Sequence, residues 1–202
     1  MREMDIELTL IEDALATSPS NADIYRNYIA SRAPRAASGD EEARAIESLG
    51  AGGSMTVWPR FEDGTPYLYD YQVKGYFKDA CKALRKATGS RSSKLKAYKQ
   101  EIDGLVFIEP RRIAIGMPEG ATIGECQRPL RVSGPSGERV ALACSETVPA
   151  GSTMRFHVRL LKDDLEPLVR EWLDYGCLRG LGQWRNSGKG VFSWKMQGSE
   201  ES

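Results

Sequence analysis

The stretch LRGLGQWRNSGKGVFSW, residues 178–194, sets Gly180, Gly182, Gly188 and Gly190 among Trp184, Trp194 and the cations Arg179, Arg185 and Lys189. Glycines let backbone N–H groups approach a phosphate closely, and Arg and Lys add charge along the path. An indole such as that of Trp184 can stack on a base. The pattern is not a Walker A loop, which needs G-x-x-x-x-G-K-[ST] between a strand and a helix. Here Gly188-Lys189-Gly190 lacks the following hydroxyl, and the order of helix and strand is reversed. Nor is it a dinucleotide fingerprint, which also begins after a strand. The same residues fit a second reading equally: a hairpin turned by its glycines, with its tryptophans in the core.

Further cations gather elsewhere. The net charge is zero, yet residues 1–73 carry 6 Lys and Arg against 13 Asp and Glu, and residues 74–100 carry 9 against Asp79 alone. Local potential, not total charge, attracts phosphates. Lys74, Lys78, Lys82, Arg85 and Lys86 fall on the polar side of a helical pattern, next to Gly75; a solvated helix face fits that pattern as well. Arg111 and Arg112 follow Pro110 at a strand break, and Arg128 and Arg131 flank Pro129. Arginine there can fork onto phosphate or pair with Glu125 or Glu138.

Covalent and metal chemistry find little to work with. His157 is the single histidine and lies among arginines on a strand pattern. Asp13, Asp23 and Asp40 lie in or near the first loops, where an acid could attend a scissile phosphate, or cap a helix. No acid cluster has two-metal spacing, and Cys81, Cys126, Cys144 and Cys177 form no C-x-x-C pair. The expectation is four reduced thiols, no metal and no cofactor. No apolar run approaches the roughly 20 residues of a membrane span, and MREMDIELTL has none of the blocks of a signal peptide. A cytoplasmic protein with no membrane partner is expected.

The elements that must position these residues follow from periodicity. Ile6, Leu8 and Leu10 alternate with Glu7 and Thr9 as in a half-buried strand. Residues 21–33 read as a short helix, 34–54 as a flexible insertion, and 55–61 as a strand. Val73, Phe77, Cys81 and Leu84 recur at helical spacing over 70–89, closed by Gly89. Residues 104–116 read as a strand pair or a strand bent at Pro110, and 128–151 as a hairpin around GPSG. Met154, Phe156, Val158 and Leu160 alternate with Arg155, His157 and Arg159. A helix over 163–176, the glycine-rich loop, a strand over 190–196 and a disordered tail over 197–202 complete the chain. Strands that do not alternate with helices in βαβ rhythm argue for an α+β fold with an antiparallel sheet. The natural candidate is an RRM-like or ferredoxin-like core with helices on one face and loop insertions.

DGTPYLYDYQVKGYFKDACKAL, residues 63–84, resembles the signature of the RAMP superfamily, the RRM-like proteins that include CRISPR effector backbone subunits. Gly64, Pro66, Leu68, Val73, Lys74, Gly75, Phe77 and Lys78 fall on its positions, with Tyr71 or Asp70 where the family has Ser or Thr. Glu146, Val148, Gly151 and Phe156 resemble a second family motif, and the loop glycines resemble its C-terminal G-rich loop, here longer and richer in tryptophan. The resemblance covers residues 63–194. It implies one modified RRM domain over 1–202; the chain's shortness and single core are read as those of a divergent, stand-alone relative, encoded by a phage or another mobile element. It also implies binding of single-stranded RNA, in preference to single-stranded DNA, and stacking into homo-oligomers or filaments along the strand. Lys74, Gly75 and Lys78 would then hold phosphates at a helix start. Two alternatives stay open: a RAMP-type endoribonuclease, and a protein-interaction module that imitates or joins a CRISPR effector complex.

Overall fold

The computed structural model describes residues 1–20, 55–134 and 137–197, and within 129–142 it describes the backbone. The helix expected over 21–33 and the insertion over 34–54 lie outside the described residues. Strand β1 (Arg2–Leu10) turns Met4, Ile6, Leu8 and Leu10 inward, as the alternation requires. It sits between β10 (Thr153–Leu160) and β11 (Phe192–Met196), antiparallel to both. Beyond β10 lie β6 (Val106–Glu109) and β7 (Arg112–Gly116), two halves of one path broken at the cis peptide of Pro110. Strand β5 (Tyr67–Tyr69) adds to the far side of β7.

Helix α1 (Asp70–Leu84) leads from β5 through helix α2 (Tyr98–Leu105) to β6, and α3 (Glu166–Asp174) leads from β10 to β11. The core path is thus strand, helix, strand, strand, helix, strand, with β11 and β10 flanking β1: the split βαβ arrangement of a ferredoxin-like or RRM-like fold. The molecule is α+β, with antiparallel pairing in this main sheet.

Helices α1 and α3 pack on one face. Phe77 and Trp172 meet with ring centroids 5.6 Å apart, and Tyr76 meets Phe192 edge-on at 5.3 Å. Tyr76 carries its hydroxyl into this core by donating to the Trp172 carbonyl at 2.7 Å. The opposite face of the sheet is charged: Arg155 and Lys195 converge on Glu7, His157 on Asp5, and Arg159 on Glu3 and Glu109. These are cross-strand pairs placed by the register of β1 with β10 and β11 and of β10 with β6.

A second sheet is built on β9 (Gly137–Val148), which forms a hairpin with β8 (Gly124–Gly134). Strand β2 (Ala14–Leu15) joins β9 antiparallel and β4 (Met55–Val57) joins it parallel, with β3 (Ser18–Pro19) outside β4. Glu146 ties this sheet together by accepting from the Trp58 backbone N–H at 2.8 Å and pairing with Arg60 at 2.6 Å. At the end of the main chain path, Gln197, the first residue of the expected tail, donates its backbone N–H to Asp5 at 2.8 Å.

Candidate nucleic-acid interface

The loop between α3 and β11 lies back on the molecule. The Leu181 N–H donates to the Gly190 carbonyl, and the Gly190 N–H to the Asp13 carbonyl, both at 2.8 Å. A Cβ on Gly180 would stand 1.9 Å from the Gly190 carbonyl carbon, and one on Gly190 would stand 2.0 Å from the Leu181 oxygen. A Cβ on Gly182 would stand 2.4 Å from the Leu15 oxygen. These three glycines therefore let the loop pack backbone against backbone. Gly188 differs: its φ of +79° calls for glycine, but the space beside it is open.

The cations of this loop are partnered. Arg179 and Arg185 both donate to Asp79 Oδ2 on α1, at 2.7 and 2.8 Å, and Arg179 also donates to Asn186 Oδ1. Lys189 lies 3.6 Å from both Glu12 and Asp13. Burial pushes the Asp79 carboxyl up, but the hydrogen bond from Arg179 and the charges of both arginines outweigh it and hold it below its usual range.

The basic segment behaves otherwise. Lys74 and Lys78 stand in the second and third turns of α1, because the helix begins at Asp70 and not at Lys74-Gly75. Its first turn is set by the Tyr69 N–H donating to Gln72 Oε1 at 2.7 Å. The amides of Lys74 and Gly75 thus belong to the helix interior, and Gly75 is exposed there with open space around it. Lys78 pairs with the Asp103 carboxylate; Lys74 donates to the Asp103 carbonyl at 3.2 Å and lies over the Phe107 ring. Burial holds the Lys74 amine below its ordinary value. By contrast Lys82, Arg85, Lys86, Arg91, Lys94, Lys96 and Lys99 are all exposed, and no ion pair among the described residues engages them. Glu171 on α3 fixes this arc, accepting from the backbone N–H groups of Arg91 and Ser92 at 2.6 and 2.9 Å.

Arg111 pairs with Asp70 and lies over Tyr69 and Tyr71, whose rings stack at 5.2 Å. Arg112 lies over Phe61 and Tyr67. Sequence reading missed this aromatic row; the alternation of tyrosines at 67, 69 and 71 was its signal. Arg128 is 7% exposed, donates to Gln183 Oε1 at 2.6 Å, and lies over Trp184. Glu125 accepts from Gln127 instead, and the Glu138 side chain lies outside what the structure describes. Arg131 lies on β8, opposite Val140. Trp184 is 41% exposed, whereas Trp194 is half-buried and donates to Asp174 at 2.8 Å. Trp194 packs against the core from its edge, while Trp172 and Trp58 are buried within it.

The catalytic candidates are engaged as well. His157 Nδ1 is hydrogen-bonded to Asp5, and Asp13 Oδ1 accepts from the Ala150 N–H at 3.0 Å. Asp23 and Asp40 lie outside the described residues. No helix among the described residues is long and apolar enough to cross a membrane.

No protein-family model matches the chain, and no curated protein does. Solved structures do. A chain of the structure described as "Cryo-EM structure of the Type III-B Cmr-beta bound to cognate target RNA" is 16% identical, with a TM-score of 0.55 over 96% of this chain and 59% of that one. A chain of a "Type IV-B CRISPR Complex" is 12% identical, with a TM-score of 0.48 over 100% of this chain and 93% of that one. This chain therefore spans less than two thirds of the Cmr-beta chain it matches. At that identity the likeness is one of fold: the α+β architecture is shared with the Cmr-beta chain.

Proposed function

We propose that residues 1–202 form one RAMP-type unit that binds single-stranded nucleic acid, RNA before DNA, and assembles with copies of itself along the strand. The observation that carries this reading is the contrast between two sets of cations. Those of the glycine-rich loop are neutralised by Asp79, Glu12 and Asp13. Those from Lys82 to Lys99 are exposed and unpaired among the described residues, in a chain of zero net charge. Such an arc supports contacts to a phosphate backbone. The preference for RNA rests on the motif resemblance, and on the target RNA named for the structural neighbour.

The test is the salt dependence of binding to a short oligouridine. Each phosphate contact on a single strand contributes about 0.7 to the slope of log affinity against log salt. Lys82→Glu with Lys86→Glu is expected to weaken binding and to lower that slope by about 1.4. Parental affinity and slope in the double variant would remove the reading. Nucleic acid that co-purifies with the protein, raising its absorbance at 260 nm relative to 280 nm, favours it over a protein-interaction module.

A further inference from the structure

Strand β8 meets the glycine-rich loop at Arg128, and two unfavourable features converge there. The guanidinium is 7% exposed, and its neighbours are neutral: Gln183 Oε1 at 2.6 Å from Nη2, and the Trp184 ring, whose centroid is 5.3 Å from Cζ. Nη1 is buried and has no hydrogen-bond partner, and no ion pair among the described residues engages this side chain. A buried charge without a counter-charge destabilises a fold strongly. Trp184 in turn adopts φ 54° and ψ 33°, a left-handed conformation that bulky residues rarely take. It is the one non-glycine among the described residues with positive φ. The strain holds a large ring across the guanidinium while leaving 41% of the residue exposed.

We infer that Arg128, Gln183 and Trp184 form a nucleotide-binding site, in which a phosphodiester neutralises Arg128 while the attached base stacks on Trp184. This rests on the reading of the chain as a single-strand binder, and adds to it a defined subsite apart from the exposed arc at 82–99. The chemistry matches part by part. A guanidinium forks onto phosphate oxygens, and Nη1 has donors to spare. Gln183 Oε1 accepts from Nη2 and so fixes that end of the guanidinium. An indole accepts any base on its π face. A simple carboxylate would meet the arginine and leave the tryptophan unused, whereas a nucleotide carries both the anion and the ring. Because Nη1 is buried, a phosphate reaches it only when the Trp184 ring turns outward.

A structural arginine and a ligand-binding one differ in what their removal does to stability. Arg128→Met keeps much of the bulk and deletes the uncompensated charge. Its melting temperature is expected to equal or exceed that of the parent. Its affinity for oligouridine is expected to fall about tenfold, with a salt slope lower by about 0.7. Trp184→Ala is expected to weaken binding by about five- to 150-fold with the slope unchanged. Parental binding by either variant overturns the site, as does an Arg128→Met protein that melts well below the parent. If the site fails while Lys82→Glu with Lys86→Glu still weakens binding, the single-strand reading stands alone. If the parent does not bind oligouridine, both fall.

Discussion

Asp79 shows how a residue acquires a role that its neighbours in sequence do not reveal. It is the sole acid in residues 74–100, and it lies 100 positions from Arg179 and 106 from Arg185. The sequence made the loop arginines look like free phosphate ligands because spacing along a chain carries no trace of a partner that only folding brings near. The same applies to Lys189, whose partners Glu12 and Asp13 come from the other end of the molecule. A consequence in pH follows. Asp79 has a depressed carboxyl in the folded protein, so its contribution to stability is present above its unfolded value of about 3.9 and is lost as pH falls through the lower folded value. Protonation there releases both arginines. Melting temperature followed from neutral pH down into this range is expected to fall in the parent. Asp79→Asn should start lower at neutral pH and fall less steeply in acid. An identical acid slope in the two proteins would show that Asp79 does not latch the loop.

Among the elements, those with clean periodicity were legible. Strand β10 buries Met154, Phe156, Val158 and Leu160 and exposes Arg155 and His157, as alternation alone requires. The hairpin around residues 134–137 and the break at Pro110 were also readable, since turn residues punctuate both. The start of α1 at Asp70 was legible from the helical spacing over 70–89, whereas the motif resemblance put a helix start at Lys74-Gly75. Lys74-Gly75 resembles a helix boundary by its glycine, yet Gln72 capping the Tyr69 amide opens the helix four residues earlier than Lys74. The glycine-rich loop was legible as a sharp turn, but not as a turn pressed against its own backbone. That packing makes its glycines unequal. Gly180→Ala is expected to destabilise by about 1–3 kcal/mol or more, because its Cβ meets rigid backbone at Gly190. Gly188→Ala bears only its positive φ, about 1 kcal/mol, since the space around it is open. Denaturant midpoints of the two variants, compared at constant slope, check the order. Equal losses would mean that the loop does not lie on Gly190 as described.

For the whole molecule, the order of strands and helices was enough to reach the split βαβ core, because α1 and α3 each separate strands that pair elsewhere. The second sheet around β9 was less legible: its strands β2, β3 and β4 are two or three residues long, too short for a period to show. At this scale charge segregation is the informative property. Along the sequence, acids are in excess in residues 1–73 and cations in residues 74–100, two segments of opposite sign. Two different patches that attract each other make a heterologous contact, which need not close into a ring. A strand that binds the cations of several copies at once raises their local concentration and adds to that contact. Oligomers are therefore expected to lengthen with the bound strand and to shorten as salt screens both attractions. Light scattering with a series of oligouridines checks this: mass should rise stepwise with oligonucleotide length at low salt and fall back at high salt. A monomer at every length would mean that the two charged segments serve the strand and the fold separately, and that the unit acts alone.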